Sequence, residues 1–186
     1  MRVFIISFFI ACAIGIIVFR LPLIFSKNLD IFGKDPLPMA FRFAAEAILA
    51  ILLILTGVSI ILKKKWEMEL VFLSSGFLMT SAISSAFHYY SFYQNKFFMV
   101  LSIIAAVVTF AVCFYMFLAY TYGFDKSYIA LRESKALLLF SMGIILYVLI
   151  MSAGVFAGRK EWVLLSVLSA GMIIWIVSTI RMFKLI

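Results

Sequence analysis

Long apolar runs separated by short polar connections dominate the pattern of this 186-residue chain. Six runs are long enough to cross a bilayer, whose hydrocarbon core needs about 20 mostly apolar residues. They cover residues 3–24, 40–62, 68–92, 97–122, 136–157 and 162–182. The pattern predicts an all-α integral membrane protein, in which a compact bundle of six transmembrane helices forms one polytopic domain over residues 1–186.

The composition agrees with a membrane protein and excludes a soluble fold. The chain is 67% hydrophobic and 13% charged, whereas a soluble domain is about half apolar and about a quarter charged. Its net charge of +8 comes from basic residues that lie almost entirely in the connections between the apolar runs. That placement is typical of orientation signals beside anionic lipid, so the expected partner is the lipid bilayer and not nucleic acid.

The basic residues also predict an orientation. The first run stays apolar to Phe19, longer than a usual signal-peptide core, so we expect it to remain as the first span. With the N-terminus inside, nine Lys and Arg residues, including the cluster Lys63, Lys64 and Lys65, fall on the cytoplasmic side and six on the other, with Arg42 set aside inside a span. The sequence therefore predicts cytoplasmic termini and a multi-pass protein of the cell membrane.

Ionisable residues inside spans are costly and mark candidate functional sites. Arg42 and Glu46 lie four residues apart in the second run, so both project from one helix face. In the third run, Ser85 and His88 lie on a polar stripe with Ser74 and Ser81, and Ser84 lies at its edge.

The predicted topology places the two polar groups at one depth. The second span runs inward and the third runs outward, so both groups fall in the outer third of their spans. Arg20, at the outer end of the first span, would reach the same region. The predicted outward-facing pocket between the first three helices is formed by Arg20, Arg42, Glu46, Ser84, Ser85, His88 and Tyr89.

Each part of this pocket also has a purely structural interpretation. Arg42 and Glu46 would neutralise each other as an ion pair near the interface. The serines would let helix backbones approach closely and hydrogen-bond within the membrane. His88 and Tyr89 would belong to an aromatic belt at the membrane surface.

The segment from Ser84 to His88 resembles the Ser-x-x-x-His element of the ceramidase and progestin-receptor-like membrane hydrolases. In that family the element contributes to a zinc site, together with a late His-x-x-x-His pair and usually seven spans. This sequence has one histidine and six apolar runs. The resemblance covers five residues and does not support a zinc site.

The chain has too few residues of the required types for most metal sites and catalytic sites. A zinc site usually needs three or four His, Cys or carboxylate ligands, and no nucleophile elbow surrounds Ser84. We predict no catalytic residues, no metal and no cofactor. Cys12 and Cys113 lack CxxC spacing, and we expect both to be buried, reduced packing residues.

The leading interpretation is a non-catalytic membrane protein whose pocket binds a small or lipid-like ligand or a partner subunit. The alternative is a small transporter or channel, which would need a polar path across the bilayer. The polar residues available for the inner half of that path are Thr56, Ser59, Ser74, Ser178 and Thr179. A membrane-embedded hydrolase using Ser84 and His88, or a metal at His88 and Glu46, is a third interpretation.

Overall fold

The computed structural model describes residues 2–25, 36–64, 66–90, 96–122, 129–164, 166, 167 and 169–171. The helices are α1 (Arg2–Phe25), α2 (Pro36–Ile61), α3 (Glu67–His88), α4 (Lys96–Tyr122) and α5 (Ile129–Gly158). A shorter apolar helix follows over Trp162–Gly171, and no strand occurs among the described residues. The all-α prediction is confirmed for this part of the chain.

Within the described residues, four helices are long and apolar enough to cross a membrane, namely Leu37–Ile61, Glu67–His88, Lys96–Tyr120 and Glu133–Gly158. The described apolar segment of α1, Val3–Val18, is shorter. Most of the sixth predicted span, together with Ser178 and Thr179, lies outside the described residues. The connection between the first two apolar runs also falls largely outside the described residues, at 26–35.

Two helices begin earlier than the apolar runs predict. α2 starts at Pro36, whereas its run starts at residue 40, because proline has no N–H to lose in the first turn of a helix. α5 starts at Ile129, although its apolar run starts at residue 136. At the other end of the third run, the α-helix stops at His88 and Tyr89 and Tyr90 form a π-helical turn.

Two helices end with a lysine in the left-handed conformation. Lys63 has φ 49° and Lys160 has φ 58°. In each case the next residue donates its backbone N–H five positions back: Lys64 to Ser59 at 3.0 Å, and Glu161 to Phe156 at 2.9 Å. This arrangement supplies donors to carbonyl groups at the helix end that have no partner inside the helix.

The closest helix contact in the bundle is between α3 and α5. A Cβ atom placed on Gly76 would collide with the backbone carbonyl of Phe140, and one on Gly143 would collide with that of Leu73. Small residues at such crossings let transmembrane backbones approach closely. The paired glycines therefore fix α3 and α5 at van der Waals distance near the centre of both spans.

The contacts define the directions of α2, α3 and α5. Lys135 Nζ lies 2.8 Å from Glu69 Oε1, so the starts of α3 and α5 meet at one end of the bundle. At the opposite end Pro38 approaches Gly158, so α2 runs antiparallel to α5. We call these the Glu67 end and the His88 end.

The helices on the two flanks leave a gap in the packing. α1 packs mainly against α2, and α4 mainly against α3. α2, α3 and α5 form the centre of the bundle, where Leu49, Leu53 and Phe77 are fully buried. The gap lies between α1 and α4, with α2 and α3 behind it.

Candidate functional site

Arg42, Glu46 and Ser85 form one buried polar cluster. Arg42 Nε donates to Glu46 Oε1 at 3.3 Å along α2, and Arg42 Nη2 donates to Ser85 Oγ at 3.1 Å on α3. The three residues are 5%, 4% and 8% exposed. The predicted i,i+4 pair is therefore a buried ion pair, and Ser85 connects it to the neighbouring helix.

The early start of α2 shifts the centre of its candidate span. The centre of Leu37–Ile61 is Leu49, three residues beyond Glu46. At a rise of 1.5 Å per residue this is about 4.5 Å along the helix. Charge inside an apolar span is expensive, and the Arg42 guanidinium balances the Glu46 carboxylate.

A partly open cavity of about 590 Å³ lies in the gap beside this cluster. Its walls are almost entirely apolar. Glu46 is its residue from α2, and the other lining residues come from α1, α3 and α4: Phe4, Phe8, Ala11, Cys12, Gly15, Ile16, Leu78, Ser81, Ala82, Ser85, Tyr89, Phe98, Leu101, Ser102, Ile104, Ala105 and Val108.

An acidic residue and three serines line the cavity, whereas Arg42 does not. Glu46, Ser81, Ser85 and Ser102 are its polar lining residues besides Tyr89, and Arg42 does not line it. An ionised carboxylate only accepts hydrogen bonds, whereas serine hydroxyls both donate and accept them. The cavity therefore offers acceptors close to the centre of the span.

An aromatic pair lines the cavity towards the His88 end. The rings of Tyr89 and Phe98 stack with centroids 5.3 Å apart and planes 26° apart. Tyr89 directly follows the last residue of α3, and Phe98 lies in the first turn of α4. The stack thus joins the end of α3 to the start of α4.

The predicted residues of α3 divide between two stripes of the helix. Ser85 and Tyr89 continue the stripe of Leu78 and line the cavity. At about 100° of rotation per residue, Ser84 lies about 100° and His88 about 60° around the helix from Ser85, and neither lines the cavity.

His88 does not line the cavity, but its ring contacts Tyr89, which does. Its ring centroid lies 6.5 Å from that of Tyr89, with the planes nearly perpendicular. Ser84 and His88 therefore share the depth of the cluster but not its cavity. Arg20 lies in α1, at a position whose side chain falls outside the described part of the structure.

α4 also lines the cavity, a contribution that the apolar pattern did not predict. Leu101, Ser102, Ala105 and Val108 line the cavity opposite α1, although the pocket was predicted between the first three helices. Ser102 interrupts a strongly apolar run at the same distance from the His88 end as the serines of α3, which was the available signal. Its hydroxyl donates to the carbonyl of Phe98 at 2.9 Å.

A second polar cluster lies towards the Glu67 end. Thr56 Oγ1 donates to Ser74 Oγ at 3.1 Å, and Ser59 Oγ donates to the Thr56 carbonyl at 2.8 Å. The fully buried Leu49 and Leu53 separate this cluster from Glu46 along α2. Ten residues of helix, about 15 Å, lie between Glu46 and Thr56.

The structure also bears on the metal and cysteine chemistry considered from the sequence. No group of three or more His, Cys, Asp and Glu side chains suited to a metal ion occurs among the described residues. Cys12 and Cys113 are free and half-buried. They differ in position, because Cys12 lines the cavity and Cys113 does not.

A family model described as a domain of unknown function, DUF8058, matches residues 1–128. The chain belongs to this family. The matched segment contains every residue that lines the cavity, from Phe4 to Val108, while α5 lies beyond it. No curated protein and no solved structure matches the chain.

Proposed function

We propose that this chain is a non-catalytic membrane protein that binds a lipid-like molecule in the cavity between α1 and α4. The observation that carries the proposal is a cavity of about 590 Å³ with apolar walls and the buried Glu46 carboxylate beside them. Ligand sites commonly have volumes of about 300–1,000 Å³, apolar linings and a few polar groups. The proposal includes six spans, cytoplasmic termini and a location in the cell membrane.

The length of the cavity supports a chain-like occupant. From Leu78 to Tyr89 its lining follows α3 over eleven residues, or about 16 Å. Half of a bilayer hydrocarbon core is about 15 Å thick. A single hydrocarbon chain from one leaflet therefore fits the cavity from the His88 end to the centre of the span.

The packing between Glu46 and the Glu67 end of the bundle weighs against the transport alternative. A polar path would have to connect Glu46 with Thr56, and Leu49, Leu53 and Phe77 fill the space between their levels. The polar residues thus form two separate clusters, of which only the one near the His88 end borders the cavity. This arrangement suits a site that holds its occupant in one leaflet.

The geometry also gives little support to the hydrolase alternative. A triad would need Ser84, His88 and Glu46 around one reacting atom, with the serine and histidine exposed to the substrate. Glu46 lines the cavity, whereas Ser84 and His88 do not. The cavity residues are therefore assigned a binding role.

Photoreactive alkyl probes test the proposal directly. Three probes of one chain length, bearing an alcohol, an amine or a carboxylic acid head, are added to the purified protein in nanodiscs. We expect saturable labelling of at least one probe on cavity residues of α1, α3 or α4, mapped by peptide mass spectrometry. Labelling that none of the unlabelled parent compounds displaces would contradict ligand binding, and the cavity would then remain as a surface for a partner subunit.

Two neighbouring alanines of α4 supply a matched control. Ala105 lines the cavity, whereas Ala106 does not, and both are half-buried. Ala105→Phe should abolish saturable labelling by filling the cavity, and Ala106→Phe should preserve it. The thermal transition of each variant shows whether it has folded.

A second readout requires no change to the cavity walls. In chains that retain one native cysteine, a saturating parent compound should protect Cys12 from an apolar maleimide and leave Cys113 unprotected. Equal protection of both cysteines would mean that the compound acts through the surrounding bilayer.

A further inference from the structure

We infer that the occupant of the cavity carries an uncharged hydrogen-bond donor, a hydroxyl group, which donates to the Glu46 carboxylate. The inference rests on the proposed function and specifies the polar end of the ligand. It follows from the charge balance of the buried cluster, from the side chains that reach the cavity, and from their depth.

The buried cluster is already neutral as a unit. Arg42 Nε and Glu46 Oε1 are 3.3 Å apart, and both side chains are almost completely buried. An amine in the cavity would add an unbalanced positive charge, and an acid an unbalanced negative one. A buried charge without a counter-charge costs much more than a hydrogen-bonded neutral group, so a neutral head is favoured over both.

A carboxylic acid head on the ligand is disfavoured for a second reason, because Glu46 lines the cavity and Arg42 does not. An anionic head would therefore meet the carboxylate before the guanidinium, and like charges at short range repel. A hydroxyl instead donates to the carboxylate, and hydrogen bonds to charged acceptors are stronger than neutral ones.

The serines that line the cavity suit a hydroxyl as well. Ser81 and Ser85 on α3 and Ser102 on α4 line the same cavity. A ligand hydroxyl both donates and accepts, as the serine hydroxyls do. Once it donates to Glu46, its oxygen can still accept from a serine.

The depth of Glu46 excludes a phospholipid headgroup as the partner of the carboxylate. Glu46 is three residues from the centre of the span Leu37–Ile61, whereas headgroups remain outside the hydrocarbon core. A single-chain alcohol or another compact hydroxylated lipid carries no phosphate to bury. The assigned ligand class is therefore a neutral lipid-like alcohol.

Competition between the three parent compounds tests the inference on the unmodified protein. The alcohol, amine and acid of one chain length compete for one photoreactive alcohol probe in nanodiscs of uncharged lipid. We expect the alcohol to displace the probe at least about tenfold more effectively than either charged compound, a difference of about 1.4 kcal/mol. Using uncharged lipid keeps the bilayer from concentrating one compound by its charge.

Two variants should change the preference in opposite directions. Glu46→Gln leaves the Arg42 charge unbalanced, so the acid should gain at least about tenfold relative to the alcohol. Arg42→Gln leaves the Glu46 charge unbalanced, so the amine should gain instead. Ser84→Ala, at a residue that does not line the cavity, serves as the control and should keep the wild-type order.

The possible outcomes separate this inference from the proposed function. Saturable labelling with the amine or the acid as the best competitor in the wild type would overturn the hydroxyl assignment and leave lipid binding in place. An absence of saturable labelling with all three heads would overturn the proposed function itself. The wild-type order decides the inference even if one charge variant fails to fold.

Discussion

Arg42 and Ser85, 43 residues apart in sequence, are joined by a hydrogen bond of 3.1 Å from Arg42 Nη2 to Ser85 Oγ. The bond crosses from α2 to α3, while the same guanidinium also holds Glu46 on its own helix. One buried cation thus fixes the carboxylate at the edge of the cavity and ties it to the neighbouring helix. The consequences of this link can be measured separately from ligand binding.

Substitutions of Arg42 and Glu46 should have strongly non-additive effects on the free energy of unfolding. Arg42→Leu leaves Glu46 buried without its counter-charge, and breaking a buried pair costs about 3–5 kcal/mol. The double variant Arg42→Leu with Glu46→Leu removes both charges and should lose much less stability. Thermal and denaturant unfolding in one detergent would measure the coupling between the two sites.

Two other results would change this interpretation. Equal loss of stability in the single and double variants would mean that the charges of Arg42 and Glu46 do not stabilise each other. No loss in either single variant would mean that Arg42 and Glu46 are not a buried pair.

Adjacent serines of α3 should differ in their effect on stability. Ser85 accepts the hydrogen bond from Arg42, and such bonds in membrane proteins contribute about 0.6 kcal/mol on average and up to about 1.7 kcal/mol. We expect Ser85→Ala to lose an amount in this range and Ser84→Ala to lose less. A double-mutant cycle with Arg42→Leu should show coupling for Ser85 alone, and coupling of equal size at Ser84 would contradict the assigned contact.

The glycine crossing of α3 and α5 should tolerate no added methyl group. Alanine at Gly76 or Gly143 would collide with backbone atoms of the partner helix, and overpacking typically costs about 1–3 kcal/mol. Gly57→Ala is the control, because its new Cβ would meet the flexible side chain of Ile10 at 3.1 Å. Unfolding measurements should show loss at the crossing and little change at Gly57; a similar small effect at all three sites would contradict the close approach.

The helices were predictable because membrane-spanning helices are set by the length of apolar runs. The polar pair at Arg42 and Glu46 was predictable for a related reason, since charges inside such a run are rare and lie on one face at i,i+4 spacing. Its distance from the end of α2 was not predictable from hydropathy alone, because α2 begins at Pro36. The first turn of α2 contains Pro36 and Pro38, which fit a helix start but also fit a loop.

The cavity could not be predicted from hydropathy, which does not give the direction in which each side chain points. A helix rotates by about 100° per residue, so Ser84 and Ser85 project in different directions although they are neighbours. Which direction meets α5 is decided by the glycine crossing at Gly76 and Gly143. The participation of α4 likewise follows from helix packing, because an apolar run reads the same whether it borders a cavity or lipid.

The predicted orientation can be tested at the two ends of the bundle. Lys64 and Arg159 are exposed, and each lies just beyond the end of a helix, at the Glu67 end and the His88 end respectively. In a background with Cys12 and Cys113 replaced by alanine, Arg159→Cys should react with a membrane-impermeant maleimide in intact cells, and Lys64→Cys only after permeabilisation. The reverse pattern would overturn the positive-inside assignment, while the shared depth of Glu46 and Ser85 would stand.

The two tyrosines at the end of α3 should separate the cavity from its surroundings. Tyr89 lines the cavity and stacks on Phe98, whereas Tyr90 is 68% exposed and does not line it. Aromatic pairs contribute about 0.5–1.5 kcal/mol, so Tyr89→Leu should weaken binding of the alkyl alcohol probe about threefold to tenfold. Tyr90→Leu should leave binding unchanged, although both variants remove a tyrosine from the same level of the membrane. Titration of photolabelling in nanodiscs gives both affinities, and equal weakening by the two variants would mean that the tyrosines act through the interface and not through the cavity.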